Sequence, residues 1–87
     1  MLSETVDLRI GVIRASGHLT AQGADLLRGT ADTLRERGHR RVVVDLAGVQ
    51  AADDDGLDVL RRLRVAFAED GGELVLQHTG QLSPEPV

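Results

Sequence analysis

The chain has 87 residues, enough for one small domain with a single core, and its 41% hydrophobic and 28% charged residues are typical of a globular protein. It contains no cysteine, which excludes disulfides, thiolate metal sites and a cysteine nucleophile, and all ten basic residues are arginine, which excludes any mechanism that needs a lysine. The net charge of −4 argues against non-specific nucleic-acid binding, and no apolar run approaches the roughly 20 residues of a membrane span.

The first predicted element is a β-hairpin. Apolar and polar residues alternate over Thr5–Arg9, which is typical of a half-buried strand. A turn at 10–11 leads to a second strand over Val12–Ala15, and we expect Gly17 to end it.

A surface helix with one buried face follows over Ala21–Arg37. Thr20 is a suitable N-cap, and Gly38 is the expected residue just past the C-terminus of the helix. On a helical wheel the less polar positions lie in one arc, opposite the charged ones. The positions expected to face the core are Leu27, Thr30, Ala31 and Leu34.

A strand, a loop and a second helix come next. The β-branched run in Val42–Leu46 predicts a strand that is central in its sheet or covered on both faces. We expect a loop over Ala47–Ala52 and a helix that begins at residue 55 or 56 and ends at Glu69 before two glycines.

The predicted element order is β-β-α-β-α-β, with a fourth strand over Glu73–Gln77. Strands joined through helices run parallel, whereas a hairpin makes its two strands antiparallel. We therefore predict a small α/β domain with a mixed sheet and helices packed on it over residues 1–77. Residues 78–87 contain two prolines and no periodicity, and we expect a flexible tail there.

The second helix carries two apolar stripes. One is expected to face the core and consists of Val59, Leu60, Leu63, Ala66 and Phe67. The other, with Asp58 and Arg62 at its edges, consists of Leu57, Arg61, Val65 and Ala68. It either packs against the first helix or a loop, or it forms a docking face for a protein partner.

Three adjacent carboxylates and a glycine, Asp53-Asp54-Asp55-Gly56, connect the third strand to the second helix, and we call them the acidic elbow. In the simplest interpretation they form the N-cap and first turn of the helix, where each carboxylate gains roughly 0.3–1 kcal/mol. Three in a row exceed what a cap requires, and they repel one another.

Other chemistry fits this segment less well. Oxygen ligands suit Mg²⁺ or Ca²⁺, with help from Asp45, but consecutive residues do not all point one way. Asp45 as a phospho-acceptor would need a lysine, and nucleotide binding at the elbow is disfavoured because carboxylates repel phosphates. His18, His39 and His78 lack metal-ligand spacing, although His18 and His78 lie just beyond strands and could cluster. We predict no enzymatic activity, no metal and no cofactor.

The segment VVVDLAGVQAADDDGLDVLRRLRVAFAEDGGELVL, from Val42 to Leu76, resembles the STAS domain family, which includes anti-sigma factor antagonists and sulphate-transporter C-terminal domains. The family pattern is a hydrophobic strand ending in Asp-Leu, a short loop, Asp-Ser-Ser-Gly, Leu, and a helix ending in Gly-Gly before another strand. Residues 14–19 also look like the end of the family's second strand. The resemblance covers about residues 5–77 and implies the STAS fold.

The resemblance also implies a regulatory role for the acidic elbow. In anti-sigma factor antagonists a serine of this loop is phosphorylated by a partner kinase, and the unmodified form binds the anti-sigma factor. By position, Asp53 and Gly56 match the motif's Asp and Gly, Asp54 matches the phosphorylated serine, and Asp55 matches the second serine. Because Asp54 has no hydroxyl, the domain is either locked in a phosphorylated-like state or serves a partner that expects a carboxylate.

A typical STAS domain continues past the fourth strand with a further helix and strand. In this sequence only ten residues follow Gln77. We therefore expect a homodimer or an obligate partner to cover the remaining surface.

These features together predict a non-enzymatic protein-interaction module similar to anti-sigma factor antagonists, with an anti-sigma factor or a similar protein as its partner. The N-terminal MLSETVDL lacks a signal-peptide pattern, so we expect a bacterial cytoplasmic location without membrane insertion. The expected partner surface comprises the acidic elbow together with Leu57, Asp58, Arg61 and Val65. The alternative is a STAS accessory subunit of a membrane complex that transports lipids or anions.

Overall fold

A four-stranded mixed sheet and two helices make up the computed structural model, which describes residues 2–78. The elements in chain order are β1 (Leu2–Asp7), β2 (Val12–Leu19), α1 (Ala21–Glu36), β3 (Arg41–Ala52), α2 (Asp54–Glu69) and β4 (Glu73–Gln77). The strands lie side by side in the order β1-β2-β3-β4. β1 is antiparallel to β2, whereas β2, β3 and β4 are parallel, which confirms the predicted strand directions. The element order along the chain is also the predicted one.

The core lies between the helices and one face of the sheet. Burial alternates along β3, where Val42 and Val44 are fully buried and Val43 is half-buried on the opposite face. β3 lies between β2 and β4 in a sheet that, within residues 2–78, is covered on one side, so of the two predicted alternatives the central position is correct. Phe67, the single aromatic residue, is fully buried on α2.

The start of α1 is capped as predicted. The Thr20 hydroxyl accepts a hydrogen bond from the backbone N–H of Gly23 at 3.1 Å, and Gly38 beyond the helix has φ 101°. Thr30 is less buried than predicted, and its hydroxyl donates to the Glu4 carboxylate on β1 at 2.7 Å. The residues of α1 that the core buries are Gly23, Ala24, Leu27, Ala31 and Leu34.

The hairpin strands are displaced from their predicted positions. β1 ends at Asp7 rather than Arg9, because the Asp7 carboxylate accepts the backbone N–H of Arg9 at 3.0 Å and turns the chain there. β2 does not end at Gly17. This glycine has φ 101° inside the strand, next to a shift in the register between β2 and β3, so it marks an irregularity of the strand.

The predicted loop over residues 47–52 is instead the second half of β3. Gly48 pairs with Ser16 on β2, and a Cβ on Gly48 would lie 2.9 Å from the Ser16 Cβ. The two strands therefore approach closely at a residue without a side chain, and pairing continues to Ala52. As a result, the acidic elbow lies directly beside the C-terminal end of β2.

Neither helix within residues 2–78 is long and apolar enough to cross a membrane. Of the predicted tail, only His78 lies inside the described residues. His78 has φ 60°, and its Nδ1 lies 2.8 Å from an Asp45 carboxylate oxygen on β3.

Candidate functional site at the acidic elbow

The acidic elbow is the junction between β3 and α2. Asp53 is the N-cap residue in extended conformation, and α2 begins at Asp54, one or two residues earlier than predicted. The Asp53 side chain makes no capping hydrogen bond. Its carboxylate oxygen instead lies 3.1 Å from His18 Nε2 at the end of β2. The capping interpretation therefore does not account for Asp53.

The backbone of the elbow is attached to the junction between β2 and α1. The Asp53 N–H donates to the carbonyl of Leu19 at 2.9 Å. Gly56 is buried against the same junction, and a Cβ there would lie 2.9 Å from the Leu19 oxygen and 3.0 Å from the Thr20 oxygen. Because these neighbours are backbone atoms, a side chain at position 56 would displace the whole first turn of α2.

Asp54 and Asp55 are the two carboxylates that remain available. Both are exposed in the first turn of α2, where they interact favourably with the helix dipole. Within residues 2–78 neither side chain makes an ion pair or a hydrogen bond. The elbow therefore presents two carboxylates that are unpaired within residues 2–78, on a backbone attached to the β2–α1 junction, which suits recognition by a positively charged surface.

Asp45 does not take part in the elbow. It lies in the middle of β3, beside Arg14 of β2. The backbone N–H of Ala47 donates to its carboxylate at 3.0 Å, and this bond, with His78 at 2.8 Å and the nearby Arg14 charge, holds the pKa of Asp45 below its usual range. Through its contact with His78, Asp45 therefore helps to hold the C-terminal end of β4 against β3.

The structure pairs His18 with Asp53 and His78 with Asp45, so the two histidines contact different carboxylates. Within residues 2–78, no group of three or more histidine, aspartate or glutamate side chains is arranged to hold a metal ion. The His18–Asp53 contact joins residues that are 35 positions apart, and no local pattern in the sequence indicates it.

The outer face of α2 continues from the elbow. Asp58 forms ion pairs with Arg61 at 3.7 Å and with Arg62 at 3.6 Å, and Val65 is 57% exposed. Leu57 is half-buried and packs against the core, so it contributes less to this face than the predicted stripe implies.

Two residues of the predicted core-facing stripe are less buried than expected. Val59 is half-buried and Ala66 is exposed, because both line an open groove between α2 and the charged side of α1. Arg35 of α1 lies in this groove, with its guanidinium 5.4 Å from the centre of the Phe67 ring. The residues of α2 that the core buries are Gly56, Leu60, Leu63 and Phe67.

Comparison with known families gives one match over most of the chain. The family model described as "Mlab, STAS domain" matches residues 4–84. No curated protein matches the chain at a significant level.

Three solved structures have a similar fold. The antisigma-factor antagonist STAS domain from Rhodobacter sphaeroides is 19% identical over 100% of this chain and 95% of that one, with a TM-score of 0.67. The anti-sigma factor antagonist SpoIIAA in its unphosphorylated form is 13% identical over 99% of this chain and 76% of that one, with a TM-score of 0.63. Mglu is 21% identical with a TM-score of 0.70 over 82% of this chain, which spans only 18% of the length of Mglu.

Proposed function

Because the chain belongs to the STAS domain family, we propose that it is a non-enzymatic interaction module of the anti-sigma factor antagonist type, acting in a bacterial cytoplasm on an anti-sigma factor or a similar protein. The similarity of its fold to two such antagonists supports this proposal. We assign the interaction module to residues 1–77.

The observation that carries the proposal is the position of Asp54. It matches the phosphorylated serine of the family motif, and its carboxylate is exposed and unpaired within residues 2–78. The charge differs from that of a phosphoserine, because one carboxylate carries a single negative charge whereas a phosphate carries about −1.5 to −2. Asp54 thus gives this position a permanent negative charge that no kinase has to add.

The proposed partner surface extends from the elbow along the outer face of α2. Asp53, Asp55 and Gly56 shape the elbow around Asp54. Farther along the helix, the surface combines an exposed apolar side chain with charged ones, and protein interfaces contain both kinds of group. The residues assigned to this part of the surface are Leu57, Asp58, Arg61 and Val65.

Two mechanisms are compatible with a permanent charge at position 54. In the first, the module is locked in a phosphorylated-like state that binds an anti-sigma factor weakly. In the second, the partner carries a basic site that requires the carboxylate. The substitution Asp54→Ser separates them, because serine restores the hydroxyl and removes the charge.

The experiment compares the native chain with Asp54→Ser and with Asp55→Ser as the matched control. The partner kinase and anti-sigma factor encoded nearest the gene serve as probes. Gain of phosphorylation and of anti-sigma factor binding in Asp54→Ser alone supports the locked mechanism, and loss of a partner that the native chain retains supports the second. If Asp54→Ser and Asp55→Ser both behave like the native chain, position 54 is not the contact and the proposal fails.

The alternative is a STAS accessory subunit of a membrane transport complex for lipids or anions. The description of the matching family, "Mlab, STAS domain", does not name an anti-sigma factor and leaves this alternative open. Affinity purification from the native organism distinguishes the two candidates. An anti-sigma kinase among the co-purified proteins supports the first, whereas an ABC ATPase with its permease supports the second.

A further inference from the structure

β4 is an edge strand within residues 2–78, because the sheet order places only β3 beside it. The Glu73 N–H donates to the carbonyl of Arg40 at 2.8 Å, on the side of β3. In a strand, the N–H and C=O groups of successive residues point alternately to the two sides. Leu74 and Leu76 therefore direct their backbone N–H and C=O groups towards the free edge.

Within residues 2–78, this edge shows none of several features that normally prevent strands from pairing between molecules. Such features include proline, lysine, a bulge or inward-pointing charge. The strand Glu-Leu-Val-Leu-Gln has an apolar centre, and its register with β3 is continuous. The other edge strand, β1, is protected better, because it carries Glu4 and Asp7 among polar residues.

We propose that β4 pairs antiparallel with β4 of a second copy of this chain, about a two-fold axis at Val75. In that register Leu74 lies opposite the partner's Leu76, and Leu76 lies opposite the partner's Leu74. All of these residues direct their backbone groups at the edge, so each of the two pairs forms two hydrogen bonds. Val75 faces the partner's Val75 in the intervening non-hydrogen-bonded pair.

The side chains are complementary in the same register. Glu73 lies opposite the partner's Gln77, so no like charges face each other across the strands. On the helix side, a groove of about 320 Å³ runs between β4 and the Arg64 and Ala68 positions of α2. The partner's Leu76 enters this groove, where the aliphatic stem of Arg64 covers it while the guanidinium stays in water.

The register makes a sharp test available, because the chain has no cysteine of its own. In a non-hydrogen-bonded antiparallel pair the Cα atoms lie about 4.5 Å apart, within the range of about 4.4–6.8 Å that a disulfide spans. The variant Val75→Cys should therefore oxidise to a covalent dimer. The matched control is Thr5→Cys on the other edge strand, where the residue is more exposed than Val75.

If the dimer forms as proposed, Val75→Cys cross-links at least tenfold faster than Thr5→Cys under the same mild oxidant. Equal rates, or faster cross-linking of Thr5→Cys, mean random collision and overturn the proposal. Sedimentation of the native chain gives a second criterion. A sedimentation coefficient that corresponds to a monomer at every concentration of a wide dilution series also overturns the proposal.

A substitution in the interface completes the experiment. Leu76→Arg places a cation beside the partner's Arg64 and should shift the native chain's dimer to monomer, whereas Leu26→Arg on the exposed side of α1 should not. Circular dichroism checks that both variants fold. The cross-linking comparison decides the question even if Leu76→Arg is unfolded, and its outcome is independent of binding at the acidic elbow.

Discussion

A methyl group built on Gly56 would lie 2.9 Å from the carbonyl oxygen of Leu19, so the first turn of α2 packs directly on the end of β2. The N–H of Asp53 donates to the same oxygen at 2.9 Å. One carbonyl therefore positions both ends of the acidic elbow.

The first prediction concerns Gly56→Ala. The added methyl group forces α2 away from the β2–α1 junction, and overpacking of this kind costs about 1–3 kcal/mol. We expect urea unfolding to give Gly56→Ala a free energy of unfolding that is lower than that of the native chain by this amount.

Gly29→Ala in α1 is the control for this substitution. Within residues 2–78, a methyl group at Gly29 would meet no atom within 4 Å beyond its own helix backbone and chain neighbours. Alanine there favours the helix by about 0.5–1 kcal/mol relative to glycine, so we expect a stability gain. Equal effects of the two substitutions would contradict the close contact at Gly56.

The second prediction concerns the N-cap of α1. Thr20→Ala removes the acceptor of the Gly23 N–H and should lower the free energy of unfolding by about 1 kcal/mol. Thr33→Ala is the matched control, because the Thr33 hydroxyl donates only to a carbonyl within the helix, that of Gly29 at 3.1 Å. Urea unfolding of the two variants measures the difference. A loss as large in Thr33→Ala as in Thr20→Ala would show that the cap is not responsible.

The third prediction is a pH dependence that arises from Asp45. Hydrogen bonds from the Ala47 N–H and His78, with the charge of Arg14, lower the pKa of its carboxyl in the folded chain. As pH falls, the unfolded chain therefore takes up this proton first, and the contribution of Asp45 to stability is lost. The native chain should have a higher free energy of unfolding than Asp45→Asn. We expect this difference to be complete above about pH 5 and to shrink below about pH 4.

Urea unfolding of both chains at neutral pH and at acidic pH measures this advantage. Asp25→Asn is the control, because the Asp25 carboxylate is exposed and makes one ion pair with Arg28 at 3.4 Å. We expect that substitution to change the free energy of unfolding by no more than about 0.5 kcal/mol. An advantage of Asp45 that is the same at both pH values would refute the assignment.

The fourth prediction concerns the outer face of α2. Arg61→Glu removes an arginine of the proposed partner surface and replaces its ion pair with Asp58 by two adjacent carboxylates, so it should reduce partner binding by at least tenfold. Stability should change by less than about 1 kcal/mol, since exposed ion pairs contribute little.

Titration calorimetry with the partner recovered by affinity purification measures the binding. Arg28→Glu is the matched control, because Arg28 makes the same kind of i,i+3 ion pair on α1. Binding that survives Arg61→Glu would mean that this stripe has only a structural role. The same result would leave the assignment of Asp54 open to its own test.

Local patterns were sufficient for most of the fold. The cap at Thr20 and the glycine at position 38 bracket α1 to within one residue, because both depend on neighbours in the chain. The apolar run in Val42–Leu46 likewise indicates a central strand. The loop predicted after it was wrong, because Gly48 looks like a turn residue in sequence but serves close strand contact in the fold.

The sequence by itself determined the element order and the N-cap of α1, since these depend on residues within a turn or two. Only the tertiary structure decided that β3 continues to Ala52, that Asp53 contacts His18, and that Asp45 contacts His78. The two carboxylate–histidine contacts join residues 35 and 33 positions apart. Such pairings depend on how strands are placed side by side, and this placement is a property of the whole sheet rather than of any segment.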